Sequence, residues 1–80
     1  MTAKEIEKVE GHLALARESA REYEERYLPE YEEVLKSGGP EYKKEILRGR
    51  MFKLLAEEMK HRAEARVAFF EALLGESFAE

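Results

Sequence analysis

The sequence contains no cysteine, which excludes a disulfide scaffold, a Cys-ligated zinc or iron–sulfur site and a thiol nucleophile. It has no apolar run near the roughly 18 residues that indicate a membrane span. Charged residues are spread through the first ten positions, so the pattern of a signal peptide is also missing. We therefore expect a soluble, cytoplasmic protein with no targeting segment and no membrane partner.

Charge and motif content argue against several functional classes. The 80 residues include 14 basic and 18 acidic side chains, and the net charge of -4 argues against a nucleic-acid partner. The Gly38-Gly39 pair is followed by Pro40, not by the Lys-Ser or Lys-Thr of a phosphate-binding loop. No serine, histidine and acid form an evident triad with a pocket. We expect neither catalytic activity nor a cofactor.

Asp, Asn, Gln and Trp are missing as well, and all 18 acidic residues are Glu. Glu, Ala, Leu, Lys and Arg fill 51 of the 80 positions. These residues lose little on entering a helix, whereas Asp and Asn compete with the helical backbone for hydrogen bonds. The composition therefore predicts long helices and an all-α fold.

Over the whole chain, this composition resembles that of computationally designed (de novo) idealised helical-bundle proteins as a class. A protein of an extreme thermophile that avoids labile amides is the alternative source of the same bias. The resemblance implies a thermostable structural protein that folds and self-assembles. It brings no active site with it.

The segment Ser37-Gly38-Gly39-Pro40 predicts a tight loop, because glycine ends helices and proline begins them. We expect one domain, an antiparallel hairpin with helices over about 3–36 and 41–74, a loop at 37–40 and a tail at 75–80. Pro29 removes one backbone hydrogen bond from the first helix. It either kinks that helix near residues 28–29 or begins a short third helix that ends near Lys36.

Apolar residues recur at helical spacing in both halves, and no alternation of period two predicts a strand. The first helix has a stripe about 100° wide formed by Ile6, Val9, Leu13, Ala16, Ala20, Tyr23, Tyr27, Tyr31 and Val34. The second helix has a stripe formed by Phe52, Leu55, Ala56, Met59, Ala63, Val67, Phe70 and Leu74. Beside it lie Met51, Leu54, Phe69, Ala72 and Leu73, which widen its apolar surface to roughly 200°.

One narrow helix cannot cover so wide a surface, and exposed apolar patches of this size mark interaction sites. We expect a homodimer in which two hairpins form a four-helix bundle about a twofold axis. The expected interface consists of Met51, Phe52, Leu54, Leu55, Met59, Arg62, Arg66, Phe69, Phe70 and Leu73. The alternative is an interaction module, either a designed binder or a small regulator from a thermophile or its phage, whose apolar band docks on another protein.

Three charged residues, Glu58, Arg62 and Arg66, follow steps of four along the second helix and project into its wide apolar face. They either lie at its edge, with Glu58 and Arg62 paired at i,i+4, or form a polar layer that sets the register of the dimer.

Two histidines are remote candidates for metal or haem ligands. Glu58-x-x-His61 has the i,i+3 spacing found in di-metal helical bundles. His12 of the first helix would lie level with about Ala65, one turn from His61. Because His61 lies at the edge of the apolar band and His12 lies beside the first stripe, we expect no metal site.

Overall fold

A computed structural model describes the backbone of residues 2–79 and the side chains of residues 2–75. The first part of the chain forms α1 (Ala3–Glu22), a π-helical segment (Tyr23–Tyr27) and α2 (Leu28–Ser37), and the second forms α3 (Glu41–Ala79). Residues 2–79 contain no strand, so the all-α prediction is confirmed.

Thr2 caps the start of α1. Its hydroxyl oxygen accepts a hydrogen bond from the Glu5 backbone N–H (3.2 Å), and the Glu5 carboxylate accepts one from the Thr2 N–H (3.4 Å). This reciprocal capping box satisfies backbone donors that would otherwise lack partners. The Thr2-x-x-Glu5 spacing is the sequence signature of this capping box.

The backbone stays helical across Pro29, from Ala3 to Ser37. Just before this proline the helix widens, and the Leu28 N–H donates to the Tyr23 carbonyl five residues earlier. A proline ring clashes with the carbonyl four residues back, here that of Glu25, and a wider turn relieves this crowding. The chain therefore forms one long first helix with a local π turn, and not a separate helix that begins at Pro29.

The predicted loop joins α2 to α3. Gly38 adopts the left-handed backbone conformation (φ 66°), which ends α2, and the Gly39 N–H donates to the Val34 carbonyl (3.0 Å). A Cβ on Gly39 would lie 2.9 Å from Val34 Cγ1, so the chain reverses too closely for a side chain there. The Pro40 carbonyl then accepts from the Lys43 and Lys44 N–H groups and begins α3.

At its other end, α3 continues to Ala79, past the end predicted near residue 74. Gly75 lies within the helix, because one glycine costs a helix only about 1 kcal/mol and does not break it. Residue 80 of the predicted tail lies outside the described residues.

The two long helices pack antiparallel along a rod that measures 63 × 16 × 12 Å. Contacts across them pair early residues with late ones: Tyr31 with Arg48, Tyr27 with Arg50, and His12 with Glu64. These contacts fit the predicted helical hairpin, with a register close to that of a reversal centred on residues 38 and 39.

Large side chains form the core at the loop end of the hairpin and small ones form it at the terminal end. The loop-end core consists of Tyr27, Val34, Leu47, Met51 and Leu54, with Tyr23, Leu28 and Tyr31 packed against it. Toward the termini the buried residues are Ala16, Ser19, Ala65, Ala68 and Ala72.

Most of the predicted stripe of the first helix faces α3. Ala16, Tyr27 and Val34 are buried, and the others are half-buried except Ile6, which is exposed. On α3, the first helix covers one edge of the apolar surface, and most of the predicted stripe remains exposed.

Two glycine substitutions test the loop geometry. Gly38→Ala forces a side chain into the left-handed region and lowers the free energy of unfolding by about 1 kcal/mol. Gly11→Ala is the matched control: Gly11 is helical and open, so alanine there raises the free energy of unfolding by about 1 kcal/mol. Denaturant unfolding at one protein concentration measures the free energy of unfolding of both variants. Equal changes in the two would contradict the left-handed conformation of Gly38.

Candidate functional site

The main exposed apolar feature is a row of side chains on the side of α3 that faces away from α1. We call this row the outer stripe. Phe52, Met59 and Phe70 are 64%, 71% and 54% exposed, values typical of side chains with no cover. The complete outer stripe is Phe52, Ala56, Met59, Ala63, Val67, Phe70 and Leu74.

The structure divides the ten residues predicted for an interface into three groups by their burial. Met51 and Leu54 are buried against the chain's own first helix, within the loop-end core. Leu55 is half-buried. The others are exposed: Phe52, Met59, Arg62, Arg66, Phe69, Phe70 and Leu73.

A shallow groove between the helices continues this apolar surface toward α1. Val9 and Leu13 line it from α1, and Ala65 and Phe69 line it from α3. The ring of Phe69 also meets that of Phe70 edge to face, with centroids 5.9 Å apart. The apolar surface therefore extends from the outer stripe round one side of the hairpin.

Arg62 and Arg66 also line this groove. The expected i,i+4 pair is present: Arg62 Nε and one of its terminal nitrogens each lie 3.0 Å from the same Glu58 carboxylate oxygen. The side chain of Arg62 is 55% exposed, so its head reaches water while its stem borders apolar residues.

A pair of Tyr–Arg contacts joins the two helices near the loop. The Tyr31 hydroxyl accepts a hydrogen bond from Arg48 (3.0 Å), and the Tyr27 hydroxyl accepts one from Arg50 (3.3 Å). Each guanidinium also lies within 6 Å of the centre of its tyrosine ring, the range of a cation–π contact. The hydrogen bond that Arg48 donates to Tyr31 raises the pKa of Arg48. These contacts help to fix the register of the hairpin.

A second cluster lies at the terminal end and contains both histidines. Glu64 Oε2 lies 3.2 Å from His12 Nδ1 and 3.4 Å from His61 Nδ1. The ligand atoms of the three residues all lie within 4.8 Å of one another. Sequence reasoning placed the two histidines on facing helices, and the structure brings them together.

The acid in this cluster differs from the one that the sequence indicated. Glu58 pairs with Arg62, and the carboxylate beside the histidines belongs to Glu64. The signal that could have found it is His61-x-x-Glu64, an i,i+3 spacing, combined with the antiparallel register that sets Glu64 level with His12. Because Glu occupies 18 of the 80 positions, spacing alone does not show whether Glu58 or Glu64 lies beside the histidines.

Within the part of the chain that the structure describes, no helix has both the length and the apolarity needed to cross a membrane.

No protein-family model matches this sequence, and comparison with curated proteins and with solved structures finds no significant similarity.

Proposed function

We propose that this chain is a structural, self-assembling helical protein, without catalytic activity, whose outer stripe is covered by a second copy of itself. The observation that carries the proposal is the position of the stripe. It lies on the side of α3 away from α1, so the first helix of the same chain cannot cover it. A homodimer removes this surface from water in both copies at once.

The spacing within the outer stripe favours a second copy over a different protein. Its members are arranged symmetrically about Ala63, at four residues (Met59 and Val67), seven (Ala56 and Phe70) and eleven (Phe52 and Leu74) on either side. A twofold axis beside Ala63 would run two α3 helices antiparallel, with each position opposite its symmetric mate. Isologous interfaces require this self-complementarity.

The sizes of the paired side chains agree with that arrangement. Phe70 of one copy would pack beside Ala56 of the other, a large residue against a small one. The two Ala63 residues would meet at the axis, where small side chains let the backbones approach. Such interdigitation produces the dense packing of stable interfaces.

Charges beside the stripe are also complementary in this arrangement. Lys53 and Glu71 are exposed on the same flank of α3, ten residues before and eight residues after Ala63. In the antiparallel pair, Lys53 of one copy and Glu71 of the other would lie at nearly the same height, offset by about 3 Å along the helix axis. The twofold axis would repeat this ion pair.

The groove on one side of the hairpin supports closure into a four-helix bundle. Val9, Leu13 and Phe69 extend the apolar surface from α3 round to α1. Rolling the two hairpins toward this side would bring the first helices into the assembly as well. The helix-rich composition, with its resemblance to designed bundles, supports the same structural role.

The solution mass tests self-assembly. We expect twice the 9.3 kDa chain mass at micromolar concentration by sedimentation. Met59→Glu would put an unpaired carboxylate into the interface and weaken the dimer at least about 100-fold, because burying such a charge is costly. Leu15→Glu is the control: Leu15 is 45% exposed on α1, away from the stripe, so the dimer should persist.

A monomer at these concentrations would overturn the proposal and favour the alternative, an interaction module whose stripe binds another protein. Equal weakening by the two glutamates would also contradict the proposed interface.

Cysteine cross-linking tests the axis, since the chain has no cysteine of its own. Ala63→Cys places two thiols near each other across the axis, and we expect a disulfide-linked dimer on mild oxidation. Ala56→Cys is the matched control: its two copies would lie about 21 Å apart along the helices, too far to link. Rapid cross-linking of both variants would indicate parallel helices and refute the antiparallel pairing.

A further inference from the structure

His12, His61 and Glu64 form a compact group on the side of the hairpin opposite the apolar groove. We propose that these three residues form a binding site for a divalent transition-metal ion of the Zn²⁺ type. The site is complete within one chain, so it does not rest on the proposed self-assembly.

Geometry is the first argument. In a tetrahedral zinc site with metal–ligand distances of about 2.0–2.1 Å, neighbouring ligand atoms lie about 3.3 Å apart. The two nitrogen–oxygen distances around Glu64 Oε2 are 3.2 and 3.4 Å. Two of the three separations therefore match the spacing that a tetrahedral ion requires, and all three ligand atoms lie within 4.8 Å of one another, with the fourth position left for water.

The second argument is that both imidazoles have a buried nitrogen without a hydrogen bond. His12 Nδ1 and His61 Nδ1 are shielded from solvent, and neither has a hydrogen-bond partner among the described residues. Their approach to Glu64 lacks the direction of a hydrogen bond. Buried polar nitrogens without partners are costly, and a metal ion bound to both would satisfy them.

The ligand chemistry narrows the choice of ion. Two imidazole nitrogens and one carboxylate oxygen suit Zn²⁺ and its neighbours better than Mg²⁺ or Ca²⁺, which prefer oxygen ligands. His12 and Glu64 also line a shallow groove with Lys8 and Lys60. Glu71 lines the same groove and offsets one of these ammonium groups, so water or a small anion would complete the coordination.

The site also has a mechanical effect, because its ligands come from both helices. His12 belongs to α1, and His61 and Glu64 lie one turn apart on α3. An ion held by all three would link the helices at their terminal end, where the core consists of small side chains. Binding to the folded state alone raises the midpoint of thermal unfolding.

Calorimetric titration with Zn²⁺ tests the site. We expect one ion per chain, a higher unfolding midpoint and an unchanged sedimentation mass. His12→Ala, His61→Ala and Glu64→Gln should each lower the Zn²⁺ affinity at least about tenfold. Even residues that only hydrogen-bond to metal ligands change the affinity by that much when they are mutated. Glu58→Gln is the matched control and should leave the affinity unchanged, because Glu58 is engaged with Arg62.

Two further readouts keep the test decisive if a variant fails to fold. Co²⁺ added to the unmodified chain should give the strong visible absorption of tetrahedral coordination, and the weak spectrum of octahedral, hydrated Co²⁺ would refute the site. Zn²⁺ affinity should fall on acidification, because imidazoles bind metals only when deprotonated. The proposal would also be overturned if Zn²⁺ left the unfolding midpoint unchanged. Equal losses of Zn²⁺ affinity in Glu58→Gln and Glu64→Gln would overturn it as well. Loss of dimerisation in Met59→Glu would leave Zn²⁺ binding intact.

Discussion

In a two-helix hairpin each helix covers the other along one side only, because the two cylinders touch along a single line. One partner can cover the apolar residues of the first helix, because they form a narrow stripe that faces α3. One partner cannot cover those of the long helix α3, because they lie on two of its sides. Leu47, Met51 and Leu54 meet the first helix, and the outer stripe faces away from it. Both the packing of the hairpin and the proposal of a second copy follow from this mismatch.

The sequence allowed the hairpin, its loop and the inward side of the first helix to be predicted, because the residues involved act locally. Glycine can adopt the left-handed conformation seen at Gly38 whatever surrounds it, and Pro40 suits the start of a helix wherever it occurs. The first stripe is narrow, so its direction was unambiguous.

On α3 the same reasoning could not settle which part of the wide apolar surface would meet the first helix. The alanines at 65, 68 and 72 are weak hydrophobic signals beside Phe52 and Phe70, yet they are the buried residues of α3 toward the terminal end of the hairpin. Small side chains pack two helices closely, a benefit that hydrophobicity alone does not reveal. The acid of the histidine cluster could not be predicted for a related reason, because selecting Glu64 over Glu58 requires the rotation of α3 about its axis.

The uneven core has a consequence for the order in which the hairpin forms and opens. Near the loop, Val34 and Leu47 are close in sequence, so bringing them together costs little chain entropy. At the far end, contacts such as that of Ala16 with α3 join distant parts of the chain and bury only small side chains. This uneven distribution favours pairing of the two helices that starts near the loop, and opening that starts at the alanine-rich end.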